Sequence, residues 1–403
     1  MKLSHKKKIA LVLSGGGIKA AAFHIGACLA LKEKGFRFAG GTKEEVSAKY
    51  GSDELTIKFY VGSSAGSVIS TFLAAGYSLN SIIHAFEQGS TELSDGLKSE
   101  KPFDEDLSPL TYRDIFSINT KEMLQILPNL FKNRGTSIVT GGLEVLLKNG
   151  LRLNGLFSTK GLEKYVRNEV WKSNSFTDLG VDLYIVATQL NQSRKVIFGA
   201  KDELSKDHSI LYANYASVSD AVAASAALPP AFSPYPIKNS DGQDIYFFDG
   251  EIRDTLSSHV PVDHGADLVI ASYSIQPYNY NKTMGSLHEY GIPVILNQAL
   301  YQVVQQKIEN AIRARKSVET IYKAVDGYLK QVDIADEHRQ KLLEIIAERA
   351  NYKPQTDYIY IHPHAQDYKT FFADHFSLNP QILKDLVQSG FRSALYALRK
   401  WDI

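Results

Sequence analysis

Val61-Gly62-Ser63-Ser64-Ala65-Gly66-Ser67 is the stretch that decides the fold of this chain. Ahead of it, Ile57, Phe59 and Val61 read as the end of a buried strand. Behind it, Val68 to Ala75 reads as an apolar helix closed by Gly76. Gly62 to Gly66 fits G-x-S-x-G, the sharp strand-to-helix corner that lifts a serine hydroxyl clear of the sheet. Gly62 and Gly66 flank it because a side chain there would collide with neighbouring backbone. The helix points its positive end at Ser64, where negative charge would collect if that serine were a nucleophile. The pattern is weak in isolation, so its meaning depends on the rest of the chain.

The same grammar occurs upstream. Ile9 to Ser14 is a continuous apolar run, as in a strand buried on both faces. Gly15-Gly16-Gly17 follows, and then a helical stretch from Ile18 to Gly35. Two strand-turn-helix units in succession imply a parallel sheet with helices on its faces. The polar stretch from Phe36 to Thr56 reads as a surface loop. Gln88 to Pro109 is polar and turn-rich, and Tyr112 to Leu130 turns amphipathic. Leu124 to Leu156 is apolar enough for a helical cap buried against the sheet, or for a lid that meets a lipid interface.

Further on, a helix capped by Ser158 and running through Val170, and strands at Leu183 to Thr188 and Val196 to Phe198, are expected. A small-residue helix should run from Val218 to Leu228, with strands at Ile245 to Phe248 and Leu268 to Tyr273. Residues 294–350 read as helical, with Leu300, Val304, Ile308 and Ile312 every four residues and a break at Gly327. A strand at Tyr358 to Ile361 and a helix opened by Asn379 and Pro380 follow. Because a strand recurs after it, 294–350 reads as an insertion within one domain spanning 1–403.

Composition bounds the function. The 403 residues are 44% hydrophobic and 22% charged, ordinary for a globular protein with a sizeable core. A net charge of +1 offers no field for nucleic acid. The single cysteine, Cys28, excludes an internal disulfide and reads as a buried thiol. Lys6, Lys7 and Lys8 before Ile9 to Leu13 imitate a secretion leader, but the apolar run is too short, and a cytoplasmic location is expected. Export by a signal-independent route would leave no mark in the sequence. No run approaches the roughly 18 apolar residues of a membrane span.

Several stretches could carry catalysis. Gly15, Gly16 and Gly17 present backbone N–H groups at a helix start, suited to an oxyanion or, less well by spacing, to a phosphate. Asp249, in Phe247-Phe248-Asp249-Gly250, is a carboxylate at a strand end that desolvation could turn into a base. The plain alternative is a turn-forming Asp-Gly. His24 reads as a packing or polar-network residue, and His259 and His264 as loop histidines. His362 and His364 are too close in sequence to suggest a zinc pair, and no metal ligand set or cofactor motif is present.

Taken together, G-G-G-I-K-A-A-A-F-H-I-G from Gly15, G-S-S-A-G-S from Gly62, A-S-A-A-L-P-P-A-F from Ala224 and the Asp249-Gly250 pair resemble the patatin-like phospholipases. These are lipid acyl hydrolases with a Ser-Asp dyad, and the blocks stand in the family's order. The resemblance implies an α/β three-layer fold with a mainly parallel central sheet, helices on both faces and a helical insertion. It implies Ser64 as nucleophile, Asp249 as general base and an acyl-enzyme intermediate. It further implies an oxyanion hole among Gly15, Gly16, Gly17 and Ile18, no cofactor, a phospholipid or lysophospholipid substrate and peripheral contact with a membrane surface.

The chain departs from the family pattern at four places. Lys19 stands where arginine is usual, Ala20 where glycine is, Gln189 where aspartate is, and Glu251 where a small residue is. Glu251 is expected to raise the pKa of Asp249 or to reshape the substrate pocket. Two rivals stand beside the dyad. One is an α/β-hydrolase esterase using Ser64, Asp249 and His259 or His264; the other is a silent binding or scaffold protein. Lys307, Arg313, Arg315 and Lys316 form a basic helix face, solvated by default and open to anionic lipid headgroups.

Overall fold

A computed structural model describes residues 3, 5–51, 55–91, 107–118, 154–192, 194–203, 205, 207–253 and 255–402. Most of the apolar stretch from Leu124 to Leu156, and the middle of the polar run from Gln88 to Pro109, lie outside the described residues.

The first strand, β1 (Ile9–Leu13), leads through the glycine turn into α1 (Gly17–Glu33). After β2 (Arg37–Phe38) and α2 (Lys43–Lys49), β3 (Thr56–Ser63) turns at Ser64 into α3 (Ala65–Ala74). Next come α4 (Leu79–Thr91), α5 (Tyr112–Ile115), β4 (Ser117–Ile118), β5 (Phe157–Ser158) and α6 (Lys160–Tyr165). Strands β6 (Asp182–Gln189), β7 (Arg194–Phe198) and β8 (Ile210–Ala213) precede α7 (Val218–Ser225). They are followed by β9 (Tyr235–Lys238), β10 (Asp244–Asp249), α8 (His259–Asp263) and β11 (Leu268–Ser272). The chain closes with α9 (Ile292–Gln331), α10 (Asp336–Arg349), β12 (Asp357–Ile361), α11 (Tyr368–Phe372) and α12 (Pro380–Leu398).

The main sheet runs β12-β11-β1-β3-β6-β10-β9, with β2 on β3 and β7 and β8 branching from β6. From β12 to β6 every pairing is parallel, while β10 runs antiparallel to both β6 and β9. Alternate residues feed two cores. Leu11, Tyr60, Ile185 and Ile270 point to one, and Val12, Phe59, Val186 and Val269 to the other. Burial on both faces is why these strands read as unbroken apolar runs. On the first face α1 and α12 cross where Gly26 lies against the Val387 carbonyl and Gly390 against the Phe23 carbonyl. Two facing glycines let the backbones touch.

Four expectations about local structure change. Phe36 to Thr56 is not a bare loop but contains β2 and α2. A reciprocal capping box between Thr42 and Glu45 and the buried Val46 anchor that polar helix. The helix expected behind a Ser158 cap is capped at Thr159 instead, starts at Lys160 and continues from Tyr165 as a π turn, Val166–Val170. The small-residue helix stops at Ser225 rather than Leu228. Gly327 does not break the long helix. The chain turns only after Gln331, near Asp333 at φ 52°, because the glycine's cost of about 1 kcal/mol is spread over a long, well-bonded helix.

Candidate active site

Ser64 stands at the corner between β3 and α3 with φ 50° and ψ −125°. That left-handed conformation is strained for a residue with a side chain, and the surroundings hold it in place. The Ser64 N–H donates to Ser225 Oγ over 2.8 Å, and Ser225 in turn donates to the Val186 carbonyl over 2.6 Å. Ser67 Oγ donates to the Ser64 carbonyl over 2.6 Å. A Cβ on Gly62 would come within 2.5 Å of the Gly66 carbonyl oxygen, and one on Gly66 would strike the Leu13 carbonyl. The glycines of the elbow are therefore required by the close approach of β1, β3 and α3.

Asp249 arrives from the opposite direction, at the end of β10, where it sits opposite Ala187 of β6. Its N–H donates to the Ala227 carbonyl over 3.1 Å, and its carbonyl accepts from Thr188 Oγ1 over 3.1 Å. Asp249 is 1% exposed. Burial pushes its pKa up to about 6, and hydrogen bonding by the Ser64 hydroxyl and the Glu251 N–H pulls it back down. The Glu251 N–H reaches Asp249 Oδ1 over 2.8 Å. The expected rise caused by Glu251 is therefore corrected: desolvation is the cause, and Glu251 contributes a lowering hydrogen bond.

The Glu251 side chain has a different task. Its Oε1 accepts from the Gly15 N–H over 2.7 Å and from the hydroxyl of Ser63. One carboxylate thus ties the glycine turn, the elbow and the Asp-Gly turn together. It also occupies the Gly15 N–H, which was expected among the oxyanion donors. Gly16, Gly17 and Ile18 follow at the start of α1, with Gly16 at φ 132° and Gly17 at φ 70°. Gly17, Ile18, Ser64 and Ala65 line one apolar cavity with Phe232 and Phe376. Such a lining suits a hydrocarbon chain next to a reactive hydroxyl.

The histidines lie apart from this pair. His259 opens α8, where its Nε2 is 3.0 Å from Lys195 Nζ. His264 pairs with Glu203 over 3.0 Å and packs among Phe59, Tyr184 and Tyr212. Neither is a loop histidine: packing against the second core places them on and just after a short helix. His24 is fully buried, 2.8 Å from Ser272 Oγ and 2.9 Å from the Ser14 carbonyl, with burial lowering its pKa to about 4. Gln189 is also buried and accepts from Arg194 Nε over 2.7 Å.

The basic face of α9 is largely consumed within the protein. Lys307 donates to the Ile252 carbonyl over 3.0 Å, Arg313 pairs with Glu309 over 2.6 Å, and Arg315 stacks 4.0 Å over the Tyr358 ring. Ser225 and the bridging role of Glu251 were not singled out from sequence. The only signals were a serine inside the Ala-rich block and a carboxylate where a small residue is usual. Among the described residues no three histidine, cysteine, aspartate or glutamate side chains gather as a metal site. No helix among them is long and apolar enough to cross a membrane.

Compared with known proteins, residues 11–263 match the sequence model of the Patatin family, described as patatin-like phospholipase. No curated protein matches the chain.

Proposed function

The chain belongs to the patatin-like phospholipase family, and from that premise we propose that it is a serine acyl hydrolase cleaving fatty-acyl esters of phospholipids or lysophospholipids. The observation that carries this reading is the Ser64 hydroxyl, held on a strained backbone, hydrogen-bonded to a buried Asp249 carboxylate whose pKa is raised to about 6, beside an apolar cavity.

Ser64 Oγ attacks the ester carbonyl while Asp249 takes its proton, and negative charge gathers on the former carbonyl oxygen. The N–H groups of Gly16, Gly17 and Ile18 receive that charge, helped by the positive end of α1. The bond to the alcohol breaks, and the leaving oxygen takes the proton back from Asp249. Water then repeats the sequence on the acyl-enzyme, with Asp249 as base, and releases the fatty acid. Each role is assigned to a protein group, so activity is expected to persist in EDTA.

A Ser-Asp-His triad is less well supported, because His259 and His264 are engaged with Lys195 and Glu203. The chain is read as one catalytic unit of 1–403 with 294–350 as an insertion. In support, β12 returns after those helices to pair with β11. Contact with a lipid surface is supported by Ile292, Leu296, Leu300 and Val303, all exposed along one side of α9.

Fluorophosphonate labelling of wild type, Ser64→Ala and Asp249→Asn, beside fatty-acid release from mixed phospholipid vesicles and short-chain esters, tests the reading. Loss of labelling and release in both variants is expected. Labelling that survives Asp249→Asn but fails in His259→Ala or His264→Ala would favour the triad. A folded wild type that neither labels nor hydrolyses would favour a scaffold.

A further inference from the structure

The buried amine of Lys19 has no part in the dyad chemistry, yet it begins a chain of hydrogen bonds that ends on the glycine turn. Lys19 Nζ donates to Tyr301 Oη over 2.9 Å. Tyr301 Oη is 2.9 Å from His375 Nε2, and His375 Nδ1 is 3.3 Å from the Gly16 carbonyl oxygen. A carbonyl oxygen can only accept, so Nδ1 carries the ring proton. Nε2 then accepts from the Tyr301 hydroxyl, and the tyrosine oxygen accepts from lysine. Burial first, and the nearby Lys19 charge second, lower the His375 pKa to about 4, which keeps the ring in the neutral form this direction requires.

The end point is what matters. The Gly16 carbonyl and the Gly17 N–H belong to one planar trans peptide, so holding the oxygen toward His375 aims the N–H the opposite way. Donation to the oxygen also polarises the N–H, as in any hydrogen-bonded amide chain. Gly17 lines the cavity that Ser64 lines. His375 backs this turn through its main chain as well: the Lys19 N–H donates to the His375 carbonyl over 3.2 Å. A Cβ on Gly17 would come within 2.5 Å of that same oxygen. Tyr301, from α9, and His375 both lie beyond residues 11–263, so this bracing comes from the part of the chain the family model does not match.

We propose that Lys19, Tyr301 and His375 are positioning residues that hold and polarise the Gly16–Gly17 peptide as an oxyanion donor, so that α9 sets the reactivity of Ser64. This rests on the acyl-hydrolase reading above, in which the Gly17 N–H receives the oxyanion.

The test uses full-length wild type, Ser64→Ala, Tyr301→Phe, His375→Ala and His375→Asn. Readouts are kcat and KM on para-nitrophenyl butyrate, the fluorophosphonate labelling rate and the melting temperature. Tyr301→Phe and His375→Ala should lower kcat about tenfold to a hundredfold, less than or up to the loss of a whole oxyanion donor, with KM little changed. Labelling rates should fall in parallel. His375→Asn, whose side-chain N–H can stand in for Nδ1–H, should recover most of kcat. A purely structural role would lower the melting temperature of Tyr301→Phe while leaving kcat at the wild-type value, and that result overturns the proposal. So does a His375→Asn no better than His375→Ala. Wild type labelled at Ser64 with Tyr301→Phe and His375→Ala equally active removes the bracing role alone. A Ser64→Ala that stays active removes the acyl-hydrolase reading and this proposal with it.

Discussion

The Gly15 N–H donates to Glu251 Oε1 over 2.7 Å, joining residues 236 positions apart in the chain. The same oxygen accepts from the Ser63 hydroxyl, and the Glu251 N–H accompanies it by binding Asp249. Glu251 therefore sets the relative positions of the three segments that meet at Ser64.

Replacing that carboxylate should loosen all three segments. Glu251→Ala leaves the Gly15 N–H and the Ser63 hydroxyl buried without this acceptor, each costing about 1–3 kcal/mol. The expected outcome is a lower urea midpoint and a fall in kcat, with Glu251→Gln recovering most of both through its carbonyl oxygen. Wild-type stability and kcat in Glu251→Ala would remove the bridging role.

The base sets an acid limit on activity and a stability cost above it. Asp249 moves from 3.8 to about 6 on folding, so the folded state binds more protons than the unfolded chain between those values. Stability attributable to this group is greatest below about 4 and declines until pH passes 6, by about 3 kcal/mol in total. Asp249→Asn should therefore abolish ester hydrolysis and yet raise the urea midpoint at pH 8, with the gain vanishing near pH 4. The wild-type kcat/KM should fall off below about pH 6. An acid limb far below that value would contradict the raised base.

Lys19 has the opposite dependence. Burial lowers its pKa from 10.5 to about 7, opposed by the charge of Asp367; Tyr301 Oη and the Phe371 carbonyl are its hydrogen-bond acceptors. Between those values the unfolded chain binds the extra proton, so stability from this group rises with pH from about 7 to 10.5 and is lowest below 7. Unfolding in urea at pH 7 and pH 10 should show this rise in wild type and a flatter dependence in Lys19→Met. The same slope in both would assign the pH effect to other groups.

Two glycines on helices should answer alanine in opposite directions. Gly390 faces the Phe23 carbonyl across the α1–α12 crossing, so Gly390→Ala must separate two backbones and should destabilise by about 1–3 kcal/mol or more. Gly327 has open space around it within α9, and Gly327→Ala should stabilise by about 0.5–1 kcal/mol. Denaturation midpoints that move together would mean that the crossing can relax.

The elements that periodicity and turn chemistry specify were legible one by one. The strands at Ile9 to Ser14 and Ile57 to Val61, the glycine turn and the elbow at Ser64 all follow from local patterns. So does the parallel sheet that consecutive strand-turn-helix units require. At Phe36 to Thr56 a capping box, and at Gly327 the bonding of a long helix, outweighs a weak local preference.

The sequence by itself determined the fold class, the family and the candidate serine and aspartate, because each is written in a short contiguous block. The tertiary structure alone decided what those blocks touch. Glu251 meets Gly15, Ser225 meets Ser64, and Lys19 reaches Gly16 by way of Tyr301 and His375. Such contacts span 74 to 359 positions in sequence. They exist only after the sheet has brought its strand ends to one side, and no local period or spacing encodes them.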